Sequence, residues 1–219
     1  MKIKIGIGLH TTENVPALTY FSHLTELLSW SRSMPDVSFG FAGVSNLKVA
    51  LARERIVTVL NENECDYWLS LDSDHILHPN LLPLLWESRD AAMVSGLIHR
   101  RIWPHSTVAF KNYDGKLQEI HLRPNTGVHE VDACAFGCTL VNLKLLRELQ
   151  APYFRDNERG RSDLNLCRAF REAGHSLRVD TRVTVGHLLP PAVIWPEAVD
   201  DYRAAKLTGD PAHLESEIS

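Results

Sequence analysis

Two carboxylates stand two positions apart in YWLSLDSDHILHP (67–79), at Asp72 and Asp74. The run before them, YWLSL, is apolar enough to be a buried strand, so the acids are carried by a rigid element and not by a loose loop. Asp is common in turns and caps, and a D-x-D in an arbitrary place is usually no more than that. At the end of a buried strand the pair has another use. Two hard oxygen donors suit Mg2+ or Mn2+. A cation held there neutralises a diphosphate and stabilises the charge that develops when a nucleoside diphosphate departs. No G-x-x-x-x-G-K-[ST] loop occurs, and GIGLH lacks the third glycine of a dinucleotide fingerprint. Phosphates are therefore expected on metal and arginine instead of a glycine cradle.

The elements that must position these acids follow from hydrophobic periodicity. KIKIGIGLH (2–10) reads as a strand. The stretch 15–33 reads as a helix with Leu18, Phe21, Leu24 and Leu28 on its apolar face. A second strand is expected over 37–44, and a second helix over 46–63 with Val49, Ala52, Ile56, Val59 and Leu60 as its stripe. The strand 67–74, a short helix over 80–88 and a further strand over 91–100 follow. This β-α-β-α-β order with short connections predicts a parallel sheet covered by helices, with ligands outside the carboxyl ends of the strands. The second half is mixed. A hairpin is expected over 107–122 with its turn at Asp114-Gly115, an apolar β segment over 130–142 and a helix over 143–149. A helix over 162–174 ends at Gly174, and a last strand covers 177–188. Residues 1–189 are read as one α/β domain. The tail 190–219, with a helix near 196–207, is read as a lid or a dimerisation arm.

Composition excludes some classes. A formal net charge of -4 gives no footprint of a dedicated nucleic-acid binder. Cys65, Cys134, Cys138 and Cys167 lie in apolar segments, and no second Cys/His pair at zinc-finger spacing follows Cys134 and Cys138. They are read as buried thiols in a reducing compartment. No apolar run approaches the roughly 20 residues that span a bilayer, so a soluble, cytoplasmic protein is expected.

Four segments, in order, resemble nucleotide-sugar glycosyltransferases of the A-type (GT-A) fold, in their broad family-2-like group. VALARERIVTVLNENECDYW resembles the A-R-N helix that precedes the D-x-D strand, and DYWLSLDSDHILHPNLLPLL resembles that strand and its end. EVDACAFGCTLVNLKLLREL resembles the acceptor-side V-x-A-x-x-G strand and helix. RSDLNLCRAFREAGHSLRVDTRVTVGHL resembles the E-D-x-D-x-C-x-R helix and a strand ending in Gly-His. The likeness spans residues 2–188, and its specificity lies in the ordered set more than in any one motif.

The resemblance implies a Rossmann-like mixed sheet, parallel in its N-terminal half, with helices on both faces. It implies sugar transfer from a nucleoside-diphosphate sugar, with Mn2+ or Mg2+, to a hydroxyl of a glycan, a small molecule or a modified nucleobase. Asp74 would ligate the metal, Asp72 would support it or contact the ribose, and His187 would supply a distant ligand. Arg53 matches the Arg of A-R-N, with Glu54 in place of the Asn, and would face the nucleotide sugar. Arg100 and Arg101, which follow VSGLIH, could reach its diphosphate or the acceptor, although arginines on loops are usually just solvated. Asp163 would be the base that takes the acceptor proton, although an N-cap role fits the same position. Ser162 and Asn165 stand where the family has Glu and Asp, which leaves the stereochemical outcome open. Trp103 and Phe136 are read as a stacking wall or as core. Two other readings stay beside this one. A nucleotidyltransferase would carry a basic loop after its first strand, and GIGLHTTENV has no Lys or Arg. A catalytically degenerate sugar-nucleotide-binding or scaffold protein would keep the fold alone. An oligomer is compatible with all three.

Overall fold

The strand that carries the acids divides the core. In a strand, successive side chains leave by opposite faces, so Trp68 enters one apolar cluster while Leu69 and Leu71 enter another. The structure, a computed structural model, describes residues 2–11, 14–155, 162–189, 192–200 and 203. In chain order its strands are β1 (Ile3–Thr11), β2 (Val37–Ser45), β3 (Tyr67–Asp72), β4 (His75–Ile76), β5 (Met93–Ile98), β6 (Ala109–Tyr113), β7 (Lys116–Glu119), β8 (Val128–Val131), β9 (Ala133–Cys134), β10 (Cys138–Asn142), β11 (Leu177–Leu189) and β12 (Ala192–Ile194). The helices are α1 (Ala17–Ser33), α2 (Val49–Glu62), α3 (Leu81–Trp86), α4 (Leu143–Leu146) and α5 (Ser162–Glu172).

The main sheet runs in the order β12-β11-β5-β10-β3-β1-β2, with β4 and β8 also paired to β11. Strands β2, β1 and β3 are parallel, and β11 is parallel to β5. Strand β10 is antiparallel to both its neighbours, β3 and β5. The sheet is thus mostly parallel and mixed, as expected. Helices α2, α4 and α5 cover one face through Ile56, Leu60, Leu143, Leu166 and Phe170. Helices α1 and α3 cover the other through Trp30, Leu81, Leu82 and Leu85. A leucine buried this completely contributes about 1.5–3 kcal/mol. All four cysteines are free and buried. The hairpin β6–β7 turns at Asp114-Gly115, where both residues have positive φ (51° and 80°), as a tight hairpin turn requires. Gly174, at φ 84°, ends α5.

Three segments depart from the pattern. Helix α1 is turned round: Leu18, Phe21, Leu24 and Leu28 face solvent, and Thr19, His23, Glu26 and Trp30 are the buried residues. The inner face holds backbone as well as filling the core. The imidazole Nε2 of His23 lies 3.1 Å from the carbonyl of His75, and Ser22 accepts the amide of Leu77. Val49 of the second stripe is likewise exposed, at the first turn of α2. The apolar stretch 130–142 is three strands, not one. Strand β8 joins β11, β9 joins β6, and β10 enters the main sheet. Trp103 is 40% exposed, whereas Phe136 is core. Of the expected helix at 196–207, a 3-10 turn at Pro196–Ala198 is present, and most of the remainder lies outside the described residues.

Candidate metal centre

Strand β3 delivers Asp72 at the carboxyl edge of the sheet, where the Asp72 amide donates to the carbonyl of Gly137 (2.8 Å). The chain then turns through Ser73 and Asp74 and forms β4. Strand β4 is only two residues long, and its partner is the far half of β11: Ile76 pairs with Gly186 and His75 with His187. The amide of Leu188 closes the turn by donating to the Asp74 carbonyl (2.8 Å). This short ladder brings one carboxylate and two imidazoles together. One ligand atom each from Asp74, His75 and His187 lie within 4.8 Å of one another. Nε2 of His187 is 3.5 Å from Asp74 Oδ2, and Nε2 of His75 is 4.0 Å from Asp74 Oδ1. The two rings stand edge to face with centroids 4.6 Å apart.

Their outer nitrogens are both committed to main-chain carbonyls. His75 Nδ1 meets the carbonyl of Gly137 at 3.0 Å, and His187 Nδ1 meets that of His99 at 2.8 Å. A carbonyl only accepts, so each Nδ1 carries the hydrogen, and in its neutral form each ring turns an Nε2 lone pair inward. Burial pushes the His75 pKa below its ordinary value, which keeps that lone pair available. For Asp74, burial alone would favour the acid. The hydrogen bond that His187 donates when its ring is protonated, the charges of His75 and His187 in that form, and the charge of Arg101 outweigh it and hold the carboxyl at about 2. An ionised carboxylate and two oriented imidazole nitrogens form a donor set that fits a divalent cation.

Gly137 explains the approach of the β9–β10 connection. A Cβ there would lie 2.3 Å from His75 Cε1 and 2.4 Å from Asp72 Oδ2, so any side chain would displace both. Strand β11 reaches the site through a register shift between Asp180 and Thr184. The shift is clasped by the fully buried Asp180, which takes bonds from Arg182 Nε (3.0 Å) and Nη2 (2.7 Å).

The expected residues divide. Asp74 and His187 are together. The third group beside them is His75, while the Asp72 carboxylate packs against Gly137 outside the trio. Arg100 points away and pairs with Glu119 at 3.4 Å. Its neighbour Arg101 is the arginine that reaches Asp74, with Nη1 3.2 Å from Oδ2. Arg53 is 7% exposed, with its guanidinium 4.5 Å from the ring centre of Phe136 and 5.8 Å from that of Phe154. No ion pair of Arg53 occurs among the described residues. Asp163 opens α5, where its Oδ1 accepts the Leu164 amide (2.9 Å). Among the described residues no contact joins Asp163 to the trio. A groove of about 710 Å³ lies between the β6–β7 hairpin and α5, lined by Lys116, Asp132, Asn165, Arg168 and Arg171. Trp195 packs over Gly186, so the start of the tail lies against the strand that carries His187.

His75 was not among the residues expected at the cation. It directly follows Asp74, and adjacent residues of an extended strand point to opposite sides. Only the turn between β3 and β4 lets the two converge. The signal available was the run DSDH itself, with an imidazole next to the acids.

No family model matches this chain, and no curated protein does. Solved structures do resemble it. A197 from STIV aligns with a TM-score of 0.63 at 14% identity, over 90% of this chain and 91% of that one. GalNAc-T7, solved with UDP, GalNAc and Mn2+, aligns with a TM-score of 0.57 at 13% identity, over 86% of this chain but 44% of that one. The inositol-1-phosphate CTP transferase from T. maritima aligns with a TM-score of 0.50 at 12% identity, over 94% and 98%. At such identities the likeness establishes the fold: a mixed α/β sheet, mostly parallel and flanked by helices, shared with glycosyltransferases of the GT-A type and with nucleotidyltransferases. Among the described residues no helix is long and apolar enough to cross a membrane.

Proposed function

We propose that this protein is a metal-dependent glycosyltransferase that moves a sugar from a nucleoside-diphosphate sugar to an acceptor hydroxyl. The observation that carries the reading is the trio Asp74, His75 and His187 at the carboxyl edge of a GT-A-like sheet, with both imidazoles aimed inward by main-chain carbonyls. Mn2+ or Mg2+ is the cation this reading expects. Nitrogen donors weigh towards Mn2+ of the two, because Mg2+ holds to oxygen ligands. When bound, the cation supplies a Lewis acid that offsets the charge of the leaving diphosphate. Asp72 lies beside the trio, suited to a ribose hydroxyl or to a water of the cation. Arg101, in contact with Asp74, is a cation suited to phosphate oxygens, and Arg53, stacked on Phe136, is the second arginine this reading assigns to the nucleotide sugar. This reading assigns Asp163 the role of proton acceptor from the incoming hydroxyl, and takes the groove between hairpin and α5 as the approach of the acceptor.

The runner-up is a nucleotidyltransferase. It is favoured by the likeness to the T. maritima CTP transferase and to a thymidylyltransferase from Bacillus anthracis that was solved with sucrose (TM-score 0.50, 14% identity). The two readings differ in product. A thermal-shift screen against UDP-, GDP-, ADP- and CDP-sugars, with Mn2+ and with EDTA, on the wild type and on Asp74→Ala, tests donor binding. A metal-dependent stabilisation by one donor, lost in the variant and followed by release of the nucleoside diphosphate, supports the glycosyltransferase. Pyrophosphate release from a nucleoside triphosphate and a sugar phosphate would replace it with the runner-up. No metal-dependent stabilisation by any nucleotide would leave a protein that keeps the fold without the activity.

A further inference from the structure

We propose that the free edge of β2 is a self-association surface, on which two copies of this chain pair their β2 strands antiparallel about Phe41 and continue the sheet across a two-fold axis. Strand β2 closes the main sheet. Its inner side is bonded to β1 in an unbroken register from Ile3↔Val37 to Thr11↔Ser45. Among the described residues no strand pairs with its outer side. An unpaired strand edge is a template for another strand, and proteins guard such edges with charge, proline, a bulge, short length or a cover.

The other edges of this protein are guarded in those ways. Strand β12, at the opposite end of the sheet, has three residues. Strand β8 carries His129 and Glu130, and β7 carries Lys116 and Glu119. Strand β2, VSFGFAGVS, has nine residues and no charge, proline or bulge. Among the described residues nothing covers it either: Phe41, at its midpoint, is 64% exposed. The apolar surface continues just past the strand in Leu47 and Leu51, 43% and 59% exposed.

The occupant follows from the pattern of side chains. Antiparallel pairing about Phe41 sets Val37 against Ser45 of the second copy, and Phe39 against Gly43. On the other face it sets Ser38 against Val44, and Gly40 against Ala42. Each larger side chain meets a smaller one, and the space over Gly43 is open, with nothing within 4 Å of where a Cβ would be. At the axis Phe41 meets its own copy, an aromatic cross-strand pair. No charge in β2 repels a second β2 or selects a different strand. Such a contact is isologous and closes as a dimer. The ladder would be about 30 Å long, at the small end of specific interfaces, so association is expected to depend on concentration. Because the two strands oppose one another, the two carboxyl edges face opposite ways. Each Asp74–His75–His187 centre is complete in its own copy.

Light scattering and sedimentation over about 1–100 μM protein test this. The wild type is expected to shift to dimer as concentration rises. Phe41→Lys, which puts two like charges on the axis, is expected to stay monomeric, with an unchanged circular dichroism spectrum and unchanged Mn2+ binding. Phe41→Cys supplies an independent test of register. Directly opposed residues of an antiparallel pair have Cα atoms about 4.5–5.5 Å apart, within disulfide reach. This variant should form an interchain disulfide on mild oxidation, whereas Leu28→Cys on the outer face of α1 should not. The four natural cysteines are buried and leave a clean background. A wild type that is monomeric throughout overturns the proposal. So does a dimer that survives Phe41→Lys, or one whose Phe41→Cys form links no faster than Leu28→Cys.

Discussion

His75 and His187 face one another across a two-residue antiparallel ladder, with ring centroids 4.6 Å apart and each Nδ1 held by a main-chain carbonyl. The carbonyls fix which nitrogen each ring offers, and Asp74 lies where the two offers meet. Calorimetric titration with Mn2+ is expected to show one site in the wild type. Asp74→Ala and His187→Ala should each weaken it at least about 100-fold, beyond the usual loss from a second-shell change. His75→Gln should weaken it as well. If His75→Gln binds Mn2+ as the wild type does while Asp72→Asn does not, the third ligand is Asp72.

Gly137 is the residue on which both sides of the site close. Gly137→Ala puts a methyl group into the space of the Asp72 carboxylate and the His75 ring. Overpacking of that kind costs about 1–3 kcal/mol. The expected result is a folded protein, melting a few degrees lower, whose Mn2+ affinity falls far more than its stability does. Unchanged Mn2+ binding would mean that His75 is not positioned by this contact.

Arg101 stands 3.2 Å from the carboxylate that the cation would use. Positive charge competes with positive charge, so Arg101→Ala is expected to raise the affinity for Mn2+ alone by about 2- to 10-fold, a partly exposed ion pair being worth about 1 kcal/mol. If the same guanidinium binds phosphate, the variant should at the same time lose affinity for the nucleotide sugar. Calorimetry with and without nucleotide separates the two effects.

Stability should depend on pH through groups under α1 and beside the site. Burial holds His23 and His99 at about 4, against 6.5 when unfolded. Between those values the unfolded chain binds more protons, so stability is full above pH 6.5 and falls as pH drops towards 4, by up to roughly 3 kcal/mol for each group. Glu26 acts in the opposite sense. Burial raises it to about 7 from 4.5, and its Oε2 has no hydrogen-bond partner among the described residues. Its unfavourable ionisation lowers stability as pH rises from 4.5 through 7. Glu26→Gln is therefore expected to melt higher than the wild type at pH 8, by about 1–3 kcal/mol of stability. Denaturant melts from pH 4 to 8 on both proteins check the two slopes. A wild type whose stability is flat below pH 6.5 would contradict the burial of the two histidines.

The clasp at the β11 register shift has a cost if broken. Arg182→Ala leaves the Asp180 carboxylate buried without its main partner. About 3–5 kcal/mol of stability should be lost, as when one member of a buried pair is removed. Mn2+ affinity should fall with it, because β11 carries His187.

Local pattern and order along the chain determined much of this protein. The runs of Val, Ile and Leu set the parallel strands, Asp114-Gly115 set the hairpin, Gly174 set the end of α5, and the buried YWLSLD run set Asp72 and Asp74 at a sheet edge. These depend on the period of side chains and on φ, which neighbours in sequence control. Tertiary structure decided the rest. Helix α1 has a clear apolar stripe, yet the sheet took its polar one, because His23 and Ser22 hold the backbone of residues 75 and 77. A helical stripe shows that one face differs from the other, and it does not show which face has a partner. The trio was half legible for the same reason. Asp74 and His187 follow from strand ends, but His75 joins them only through a turn and a ladder that link residues more than 100 positions apart, and no local spacing encodes that pairing.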